Sequence, residues 1–413
     1  MKTLLIHEHG KPYGSGGVIA VWRLHQILRE LGVQSTIACR RRDTDDPSVV
    51  ELPRADRIEK LLGKISWRIG LNDIHCLSTF KIPSFAPFRE ADVVNIHGWH
   101  TNYFNYLALP RLCRHKPVVA TLHDMWNLTG HCAVSLDCDR WETGCGKCPD
   151  LETFPPVGRD ATAWEWKLKN WVYKRSEMVV VAPSQYLAEL ARRSMLGRFD
   201  VRQIPNCVDT SVYRPLEARA ARASLGLPPD GHMVMFGALS LDRPVKGGDL
   251  LVGALRKLDE KLRAETTLLL LGGGGQAVAK ACGLPAVSLG YVTDDERKAQ
   301  AYSAADVFLL PSRWENQGIV LLEATACGTP CVGFDVGGVP EVINGGPSGL
   351  IAPPEDTAAF ADAVSTLLSD DDLRLKMGRQ AREAAVREYD IAVHGRRYVA
   401  LYEELVDRHK SAP

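Results

Sequence analysis

The sequence has no excess of either charge and no long apolar segment. Its 50 Lys and Arg residues equal its 50 Asp and Glu residues, so the formal net charge is zero. A neutral chain lacks the broad basic face that nucleic-acid binding needs, and an anionic ligand must be held by a local group of cations. No apolar run reaches the ~18 residues that cross a bilayer, and residues 1–8 become polar too soon for a cleavable signal peptide. These absences argue against nucleic-acid-binding and membrane-spanning proteins and predict a cytoplasmic protein.

The chain also lacks internal repeats, low-complexity tracts and the dinucleotide-binding motif Gly-x-Gly-x-x-Gly. Short β-branched segments alternate with longer helical patterns, which is typical of βαβ units around parallel sheets. The predicted fold class is α/β, with two Rossmann-like domains that face each other across a cleft and bind ligands at the carboxyl ends of their strands. Strands are predicted at residues 3–6, 35–39, 92–97, 117–123, 178–182 and 201–205, and again at 233–237, 267–271, 286–289, 307–311 and 330–334.

The boundary between the two domains is predicted near residues 205–229, where Pro, Asn, Asp and Gly interrupt the periodic pattern of apolar residues. We assign residues 1–208 to the first domain and residues 209–390 to the second. A long helical pattern at 371–406, with a kink near 388–391, ends the chain.

A glycine-rich turn, Gly14-Ser15-Gly16-Gly17, lies between the first predicted strand and the first predicted helix. Glycines let the backbone approach a ligand closely, and the start of a helix offers free N–H groups and a partial positive charge. The segment is therefore a candidate for holding an anionic group. An ordinary tight turn is the alternative.

Two glutamates flank the start of a later predicted helix. Glu315 lies in the loop after a strand, and Glu323 lies about one turn into the helix, so we expect both to face the same cleft. A carboxylate accepts two hydrogen bonds and suits the vicinal hydroxyls of a ribose or a hexose. A solvated helix face with two glutamates is the alternative. The backbone amides expected to point out of the helix start belong to Asn316, Gln317, Gly318 and Ile319.

Together with the segment that follows, these glutamates form a pattern known from one enzyme family. The spacing Glu315-x7-Glu323, followed by Gly328-Thr-Pro-Cys-Val-Gly333 and Gly337-Gly-Val-Pro-Glu341, resembles the Glu-x7-Glu region of retaining GT-B glycosyltransferases of family 4, group 1. The resemblance covers essentially the whole chain and extends to enzymes of bacterial exopolysaccharide and lipopolysaccharide pathways. Further matching segments are Asn206-x-Val-Asp209, Lys246-Gly-Gly and residues 302–313.

The resemblance implies retaining transfer of a hexosyl unit from a UDP- or GDP-sugar to a glycan or a lipid-linked acceptor, in cell-surface polysaccharide synthesis. Residues 1–208 would form the acceptor-side domain, completed by a C-terminal helix at 391–413, and residues 209–390 would bind the nucleotide sugar. Two alternatives stay open. A sugar-nucleotide epimerase of the same fold would need acid and base groups around C2 and C3 of the sugar, and a catalytically silent scaffold would not need the polar residues described next.

Matching positions imply the roles of the polar residues in the second domain. Lys246 resembles the basic residue that holds the donor diphosphate, Glu315 the residue that contacts the donor sugar, and Glu323 the residue that binds the ribose hydroxyls. In the family, an arginine usually follows the glycine that ends the first strand of the second domain. In this chain Ala238 follows that glycine, Gly237, and Arg243 lies nearby as a substitute. Because these cations and helix-start amides can stabilise the charge of a leaving diphosphate, we expect no catalytic metal.

Other matching positions complete the implied site. Gly16 and Gly17 resemble the loop that approaches the donor diphosphate. His123, at the end of a predicted strand, resembles the active-site histidine near the transferred sugar. The backbone at Tyr291 and Val292 resembles the segment beside the nucleobase.

Four of the eleven cysteines, Cys132, Cys138, Cys145 and Cys148, lie close together in an insertion at 130–150. A Cys-x2-Cys knuckle with two further cysteines before it has the ligand spacing of a structural zinc site. The irregular sequence around it would need such a crosslink to offset its chain entropy. We predict one structural zinc without a catalytic role. A redox pair, disulfides or four unrelated thiols are the alternatives, although a cytoplasmic setting disfavours disulfides.

Two segments, 60–68 and 164–175, combine cations with aromatic side chains. Either could form an amphipathic helix that rests on anionic lipid, which would place the protein at the inner face of the membrane. The alternative is a helix with a solvated basic face and inward-packed Trp side chains. The expected partners are therefore a nucleotide-diphosphate sugar donor, a glycan or lipid-linked sugar acceptor and a peripheral membrane contact, without nucleic acid.

Overall fold

The structure is a computed structural model that describes residues 1–344 and 347–411. It divides into two compact units, of which the first comprises residues 1–204 and 395–411 and the second residues 205–394. The expected limits were 208/209 and 390/391. Residues 412 and 413, the end of the predicted helix 391–413, lie outside the described residues.

The first unit is built on a seven-stranded, all-parallel sheet with the order β3-β2-β1-β4-β5-β6-β7. Every residue of the central strand β4 is buried, as expected for a parallel sheet that is covered on both faces. The strands are β1 Lys2–Gly10, β2 Gln34–Arg42, β3 Val49–Glu51, β4 Val93–His97, β5 Val118–Thr121, β6 Val179–Ala182 and β7 Asp200–Gln203. The helices are α1 Gly16–Glu30, α2 Asp56–Ile69, α3 Ala86–Glu90, α4 Leu109–Cys113, α5 Thr162–Tyr173 and α6 Gln185–Arg193.

The second unit is built on a six-stranded parallel sheet with the order β10-β9-β8-β11-β12-β13. Its strands are β8 His232–Ser240, β9 Thr266–Gly273, β10 Ala286–Ser288, β11 Val307–Leu310, β12 Cys331–Phe334 and β13 Gly349–Ala352. Its helices are α7 Ala218–Leu225, α8 Gly248–Leu255, α9 Glu260–Glu265, α10 Gln276–Ala281, α11 Asp295–Ala304, α12 Ile319–Ala326, α13 Val339–Asn344, α14 Thr357–Ser369 and α15 Asp371–Ala384. Two α/β units with parallel sheets confirm the predicted fold class.

The last helix, α16 Ile391–Ser411, begins in the second unit and packs on the first. The Tyr402 hydroxyl accepts a hydrogen bond from Asn95 Nδ2 on β4 at 2.8 Å. Arg202 on β7 forms a two-bond ion pair with Glu404, at 2.6 and 2.7 Å. At the predicted kink near 388–391 the chain forms a single π-helical turn, Ala385–Tyr389, which Asp390 separates from α16. Among the described residues, no helix is both long enough and apolar enough to cross a membrane.

Candidate active site

Lys246 and Glu315 form an ion pair in the second unit, with 2.6 Å between Lys246 Nζ and Glu315 Oε2. Lys246 ends a short 3-10 turn after β8, and Glu315 lies in the loop after β11. Since β8 and β11 are neighbours in a parallel sheet, the loops at their carboxyl ends meet. The two side chains are 24% and 14% exposed, so a polar ligand can still reach both.

The turn that carries Lys246 is held in place by its backbone and by Arg313. Gly247 has φ +69°, and a Cβ added there would lie 1.8 Å from the Pro311 carbonyl oxygen. Arg313 donates to the Pro244 carbonyl at 2.7 Å and binds both carboxylate oxygens of Asp249, at 2.8 and 2.6 Å. Arg313 is thus a positioning residue that the sequence did not reveal, because its partner lies 64 residues earlier in the chain.

The loop of Glu315 is fixed by two glycines with positive φ. Gly318, at φ +79°, precedes the first residue of α12. Gly337, at φ +55°, passes so close to Glu315 that a Cβ would lie 1.8 Å from its carbonyl oxygen. The next residue, Gly338, donates its N–H to that same oxygen at 3.1 Å. Only glycine allows this approach, so the pattern around Gly337 shapes the loop that presents Glu315.

Glu323 is buried on α12, at 2% exposure, and accepts a hydrogen bond from the Tyr302 hydroxyl at 3.0 Å. Gln317 Oε1 accepts the Asn206 N–H at 2.8 Å, which ties the start of the second unit to this loop. Asn316 is buried, as are Gln317 and Ile319. The solvated-face alternative for the two glutamates is therefore wrong, since neither carboxylate lies on an exposed helix surface.

The remaining predicted residues of the second unit lie further from the ion pair. Arg243 is exposed, and its carbonyl accepts the Lys246 N–H at 2.8 Å in the same turn. Tyr291 follows the edge strand β10 and is 46% exposed, whereas Val292 packs on the hydrophobic core. The structure thus brings Lys246 and Glu315 into contact, whereas Arg243 shares only the turn of Lys246 and Tyr291 lies at the outer part of the same sheet edge.

In the first unit, the predicted residues lie at the carboxyl edge of its sheet. Gly16 and Gly17 begin α1 after β1, and His123 follows β5. A Cβ at Gly17 would lie 3.4 Å from His123 Cγ, so the glycine backbone packs directly on the imidazole. His97 lies at the end of β4, and its Nδ1 is 3.2 Å from His123 Nε2. The two imidazole rings are stacked, with their centroids 5.4 Å apart. His97 was not predicted, although it ends the strand predicted at 92–97 much as His123 ends that at 117–123.

The histidines at this edge lie in different electrostatic environments. Burial lowers the pKa of His123 to about 4 and that of His7 to about 3, so both rings are neutral. His100 Nε2 lies 2.7 Å from Asp124 Oδ2. Burial opposes charge on this pair, but their mutual attraction raises the pKa of His100 and lowers the pKa of Asp124. The edge therefore combines neutral imidazoles with a His100–Asp124 pair whose mutual attraction favours its charged form.

The four clustered cysteines and His131 line one cavity of about 20 Å³, which is large enough for a single water-sized species. His131 Nε2 lies 3.3 Å from Cys148 Sγ. Burial raises the pKa of Cys132 to about 12 and that of Cys145 to about 11, so both are protonated thiols. All eleven cysteines are free, and across residues 1–344 and 347–411 no three His, Cys, Asp or Glu side chains are arranged to hold a metal ion. The thiols thus share a cavity without forming a tetrahedral ligand set.

The expectation of inward-packed Trp side chains is wrong for Trp67, Trp164 and Trp171, which are 52%, 72% and 50% exposed. On α5 the helical period turns Lys169 and Tyr173 into the core instead. The long Lys169 side chain is buried because its ammonium group donates to two backbone carbonyls, at 2.8 and 3.1 Å. Trp164 and Trp171 are therefore left on the solvent side of the helix.

Comparisons with known proteins identify the family of this chain. Residues 14–212 match the family described as Glycosyltransferase Family 4, and residues 222–384 match Glycosyl transferases group 1. A D-inositol 3-phosphate glycosyltransferase of Xylanimonas cellulosilytica is 28% identical over 93% of this chain and 91% of its own length. Two solved structures resemble the fold. Sucrose-phosphate synthase of Thermosynechococcus elongatus has a TM-score of 0.73 at 20% identity, and the match covers 98% of this chain and 99% of the synthase. HepE of Anabaena in complex with UDP-glucose has a TM-score of 0.68 at 17% identity, and the match covers 98% of this chain and 100% of HepE. The chain therefore belongs to the family 4, group 1 glycosyltransferases, a family of retaining hexosyltransferases with the GT-B fold.

Proposed function

We propose that this protein transfers a hexosyl unit, with retention, from a UDP- or GDP-sugar to a glycan or lipid-linked acceptor in cell-surface polysaccharide synthesis. The observation that carries the proposal is the Lys246–Glu315 ion pair, at 2.6 Å and still accessible to solvent. A cation and a carboxylate side by side match the two parts of a nucleotide sugar, because the diphosphate is anionic and the hexose offers hydroxyl donors. HepE of Anabaena, which shares the fold, was solved with UDP-glucose, and this supports a UDP-sugar.

The proposed chemistry follows from where charge develops. As the bond between the sugar C1 and the diphosphate oxygen breaks, the electron pair leaves with the nucleoside diphosphate. Lys246 would leave Glu315 and pair with this oxyanion, assisted by the amides at the start of α12. Glu315, released from its cation, would accept a hydrogen bond from a sugar hydroxyl. The acceptor hydroxyl oxygen would then bond to C1 on the face that the diphosphate left, and its proton would pass to the departing diphosphate oxygen.

In this proposal the first unit serves the acceptor and the second binds the donor. Glu323, beside Tyr302, would take the ribose hydroxyls, and the backbone at Tyr291 and Val292 would flank the base. Gly16 and Gly17 would approach the diphosphate, and neutral His123 would hydrogen-bond the transferred sugar. Arg243 would add a second cation when its exposed side chain turns toward the diphosphate.

A thermal-shift screen against nucleotides and nucleotide sugars tests the donor assignment. A ligand at about 100 times its Kd stabilises the fold by about 2.7 kcal/mol. We expect a rise in Tm with one nucleoside diphosphate and its sugar. An epimerase would convert the sugar without an acceptor, and a silent scaffold would turn nothing over. Absence of any nucleotide-dependent shift would contradict the proposal.

Donor turnover is expected to continue in the presence of EDTA. The reason is that cationic side chains and amides, rather than a metal, would balance the diphosphate charge. Hydrolysis or transfer should be measured after brief EDTA treatment. Activity that disappears with the chelator and returns with Mg²⁺ or Mn²⁺ would refute a metal-independent donor site.

Replacing Glu323 with alanine is expected to raise the KM for the donor about 5- to 100-fold. A buried, charge-assisted contact to a hydroxyl contributes about 1–3 kcal/mol, and this contact would be equal in the ground and transition states. Steady-state kinetics at varied donor concentration measures it. Glu296→Ala, which removes an exposed carboxylate from α11, is the matched control. Unchanged KM in the Glu323 variant would remove Glu323 from the site.

We further propose that Cys132, Cys138, Cys145 and Cys148 bind one structural zinc after their side chains turn toward the shared cavity. Zn–S bonds of about 2.3 Å suit a cavity that holds one small species. Protein purified without added zinc should contain about one zinc per chain, and Cys145→Ser should lose the metal and lower the Tm. Cys113→Ser, a half-buried cysteine outside the cluster, is the control. Metal content near zero in the unmodified protein would reject the site.

A peripheral membrane contact is the last part of the proposal. On α2 the apolar side chains of Ile58, Leu61 and Ile65 are exposed, at 61%, 63% and 50%, next to Lys60 and Lys64. An exposed apolar stripe flanked by cations is the pattern of a helix that lies on anionic lipid. Such contact would place the protein at the inner face of the membrane.

A further inference from the structure

A groove of about 940 Å³ runs beside α2 in the first unit. This volume lies within the range of small-molecule sites. Its walls come from the end of β2, from α2 and from the loop after β4. Six cationic side chains line it: Arg40, Arg41, Arg54, Lys60, Lys64 and Arg68.

Only part of this positive charge is neutralised within the groove. Asp56 lies 3.9 Å from Arg40 and 3.7 Å from Arg54. Arg54 also pairs with Glu51 at 2.6 Å, and Arg41 lies 3.9 Å from Glu8. Glu59, which also lines the groove, is buried and accepts the Ser78 N–H at 2.6 Å. Across the described part of the chain, no ion pair involves Lys60, Lys64 or Arg68. The groove therefore offers unbalanced positive charge in a concave surface, where fields concentrate.

The groove lies at the same edge of the sheet as His123. Arg40 and Arg41 are near the carboxyl end of β2, and Thr101 and Asn102 follow the carboxyl end of β4. In a doubly wound sheet this edge is where ligands bind. A ligand in the groove would therefore extend along the edge that carries the proposed active-site histidine.

The loop that closes one side of the groove is strained. Thr101 has φ +83° and Asn102 has φ +63°, and both line the groove. A β-branched residue rarely adopts positive φ. The strain is held by the buried Asp73 carboxylate, which accepts the Asn102 N–H at 2.5 Å. Strained backbone that a buried group maintains is characteristic of binding sites.

We propose that this groove binds the phosphate or diphosphate of the acceptor. An arginine guanidinium group can donate two parallel hydrogen bonds to one phosphate, and a lysine contributes a localised positive charge. The exposed apolar residues of α2 border the same groove, so an acceptor with an anionic head and an apolar chain would fit both surfaces. The inference rests on the proposed function for its claim that the bound molecule is an acceptor. The phosphate can belong to a membrane lipid or to a soluble sugar phosphate.

The test compares Lys60→Gln/Lys64→Gln with a matched control, Arg111→Gln/Arg114→Gln. The control also removes two exposed positive charges from the first unit, but from the region of α4. Three probes are titrated against each protein: inorganic pyrophosphate, glucose 6-phosphate, and phosphatidylcholine vesicles with and without polyprenyl phosphate. Loss of two charge-assisted contacts should weaken phosphate binding about tenfold in the groove variant and leave the control unchanged.

The pattern of binding identifies the source of the phosphate. A lipid acceptor is indicated if the protein prefers vesicles with polyprenyl phosphate over plain vesicles and the groove variant loses this preference. A sugar phosphate is indicated if the soluble probes bind and the groove variant binds them more weakly. Equal loss in both variants, or no binding of any probe, overturns the inference. UDP- or GDP-sugar binding and hydrolysis are measured in the same samples. If these persist while the phosphate probes fail, the groove assignment alone is wrong, and if nucleotide binding is also absent, the proposed function fails.

Discussion

Replacing Lys246 with alanine is expected to lower kcat about 10²- to 10³-fold, which is the effect of removing one preorganised group that stabilises a developing oxyanion. The structure places the Lys246 ammonium 2.6 Å from Glu315 in a turn that Gly247 and Arg313 hold fixed. Because the turn that carries Lys246 is already fixed, only its ammonium group has to exchange Glu315 for the leaving diphosphate. The loss should therefore appear in kcat more than in KM.

Matched variants separate this role from a general loss of charge. Lys246→Arg keeps the charge and should retain much more activity than the alanine variant. Lys280→Ala removes an exposed lysine from α10 and should leave kinetics unchanged. Single-turnover measurements at saturating donor give the chemical step directly. If Lys246→Ala retains nearly full kcat, the leaving group is not stabilised at this position.

The fold was predictable where local sequence alone determines it. The strands predicted at 92–97 and 307–311 are rich in Val, Ile and Leu, and both were found, as β4 and β11, with every residue of the observed strands buried. β13 was missed because it is a four-residue strand that begins with glycine. The segment 248–265 forms two helices, α8 and α9, rather than one, because the Asp259 carboxylate accepts the Leu262 N–H at 2.8 Å and starts a new helix.

The sequence predicts the candidate site as single residues but gives no information on their arrangement. Lys246 and Glu315 are 69 residues apart, and their contact depends on β8 and β11 being neighbours. Strand order is a property of the whole sheet and leaves no local signal. For the same reason Arg313 and His97 were missed, since each acts through a residue brought near by another strand. The inward orientation predicted for Trp164 and Trp171 was wrong. On this helix it is Lys169, with its ammonium group hydrogen-bonded, and Tyr173 that face the core.

Gly247→Ala is expected to destabilise the second unit by roughly 3 kcal/mol or more and to lower kcat at the same time. Gly247 adopts φ +69° and ψ +30°, a left-handed conformation that costs an L-residue about 1–2 kcal/mol. In addition, the new Cβ would lie 1.8 Å from the Pro311 carbonyl oxygen, so the loop after β11 must move. That loop holds Arg313 and Glu315, and Gly247 directly follows Lys246. One methyl group should therefore disturb both members of the ion pair.

Gly226→Ala is the control that isolates the steric part of this effect. Gly226 has nearly the same conformation, φ +66° and ψ +31°, but a Cβ there meets nothing within 4 Å. It should cost only the conformational ~1–2 kcal/mol and leave the kinetics intact. Thermal denaturation and donor turnover of both variants are compared with the unmodified protein. Because the two glycines share one backbone conformation, any excess loss at Gly247 reports the contact with the Pro311 loop. Equal losses of stability with unchanged kcat in both variants would show that this contact does not hold Lys246 in place.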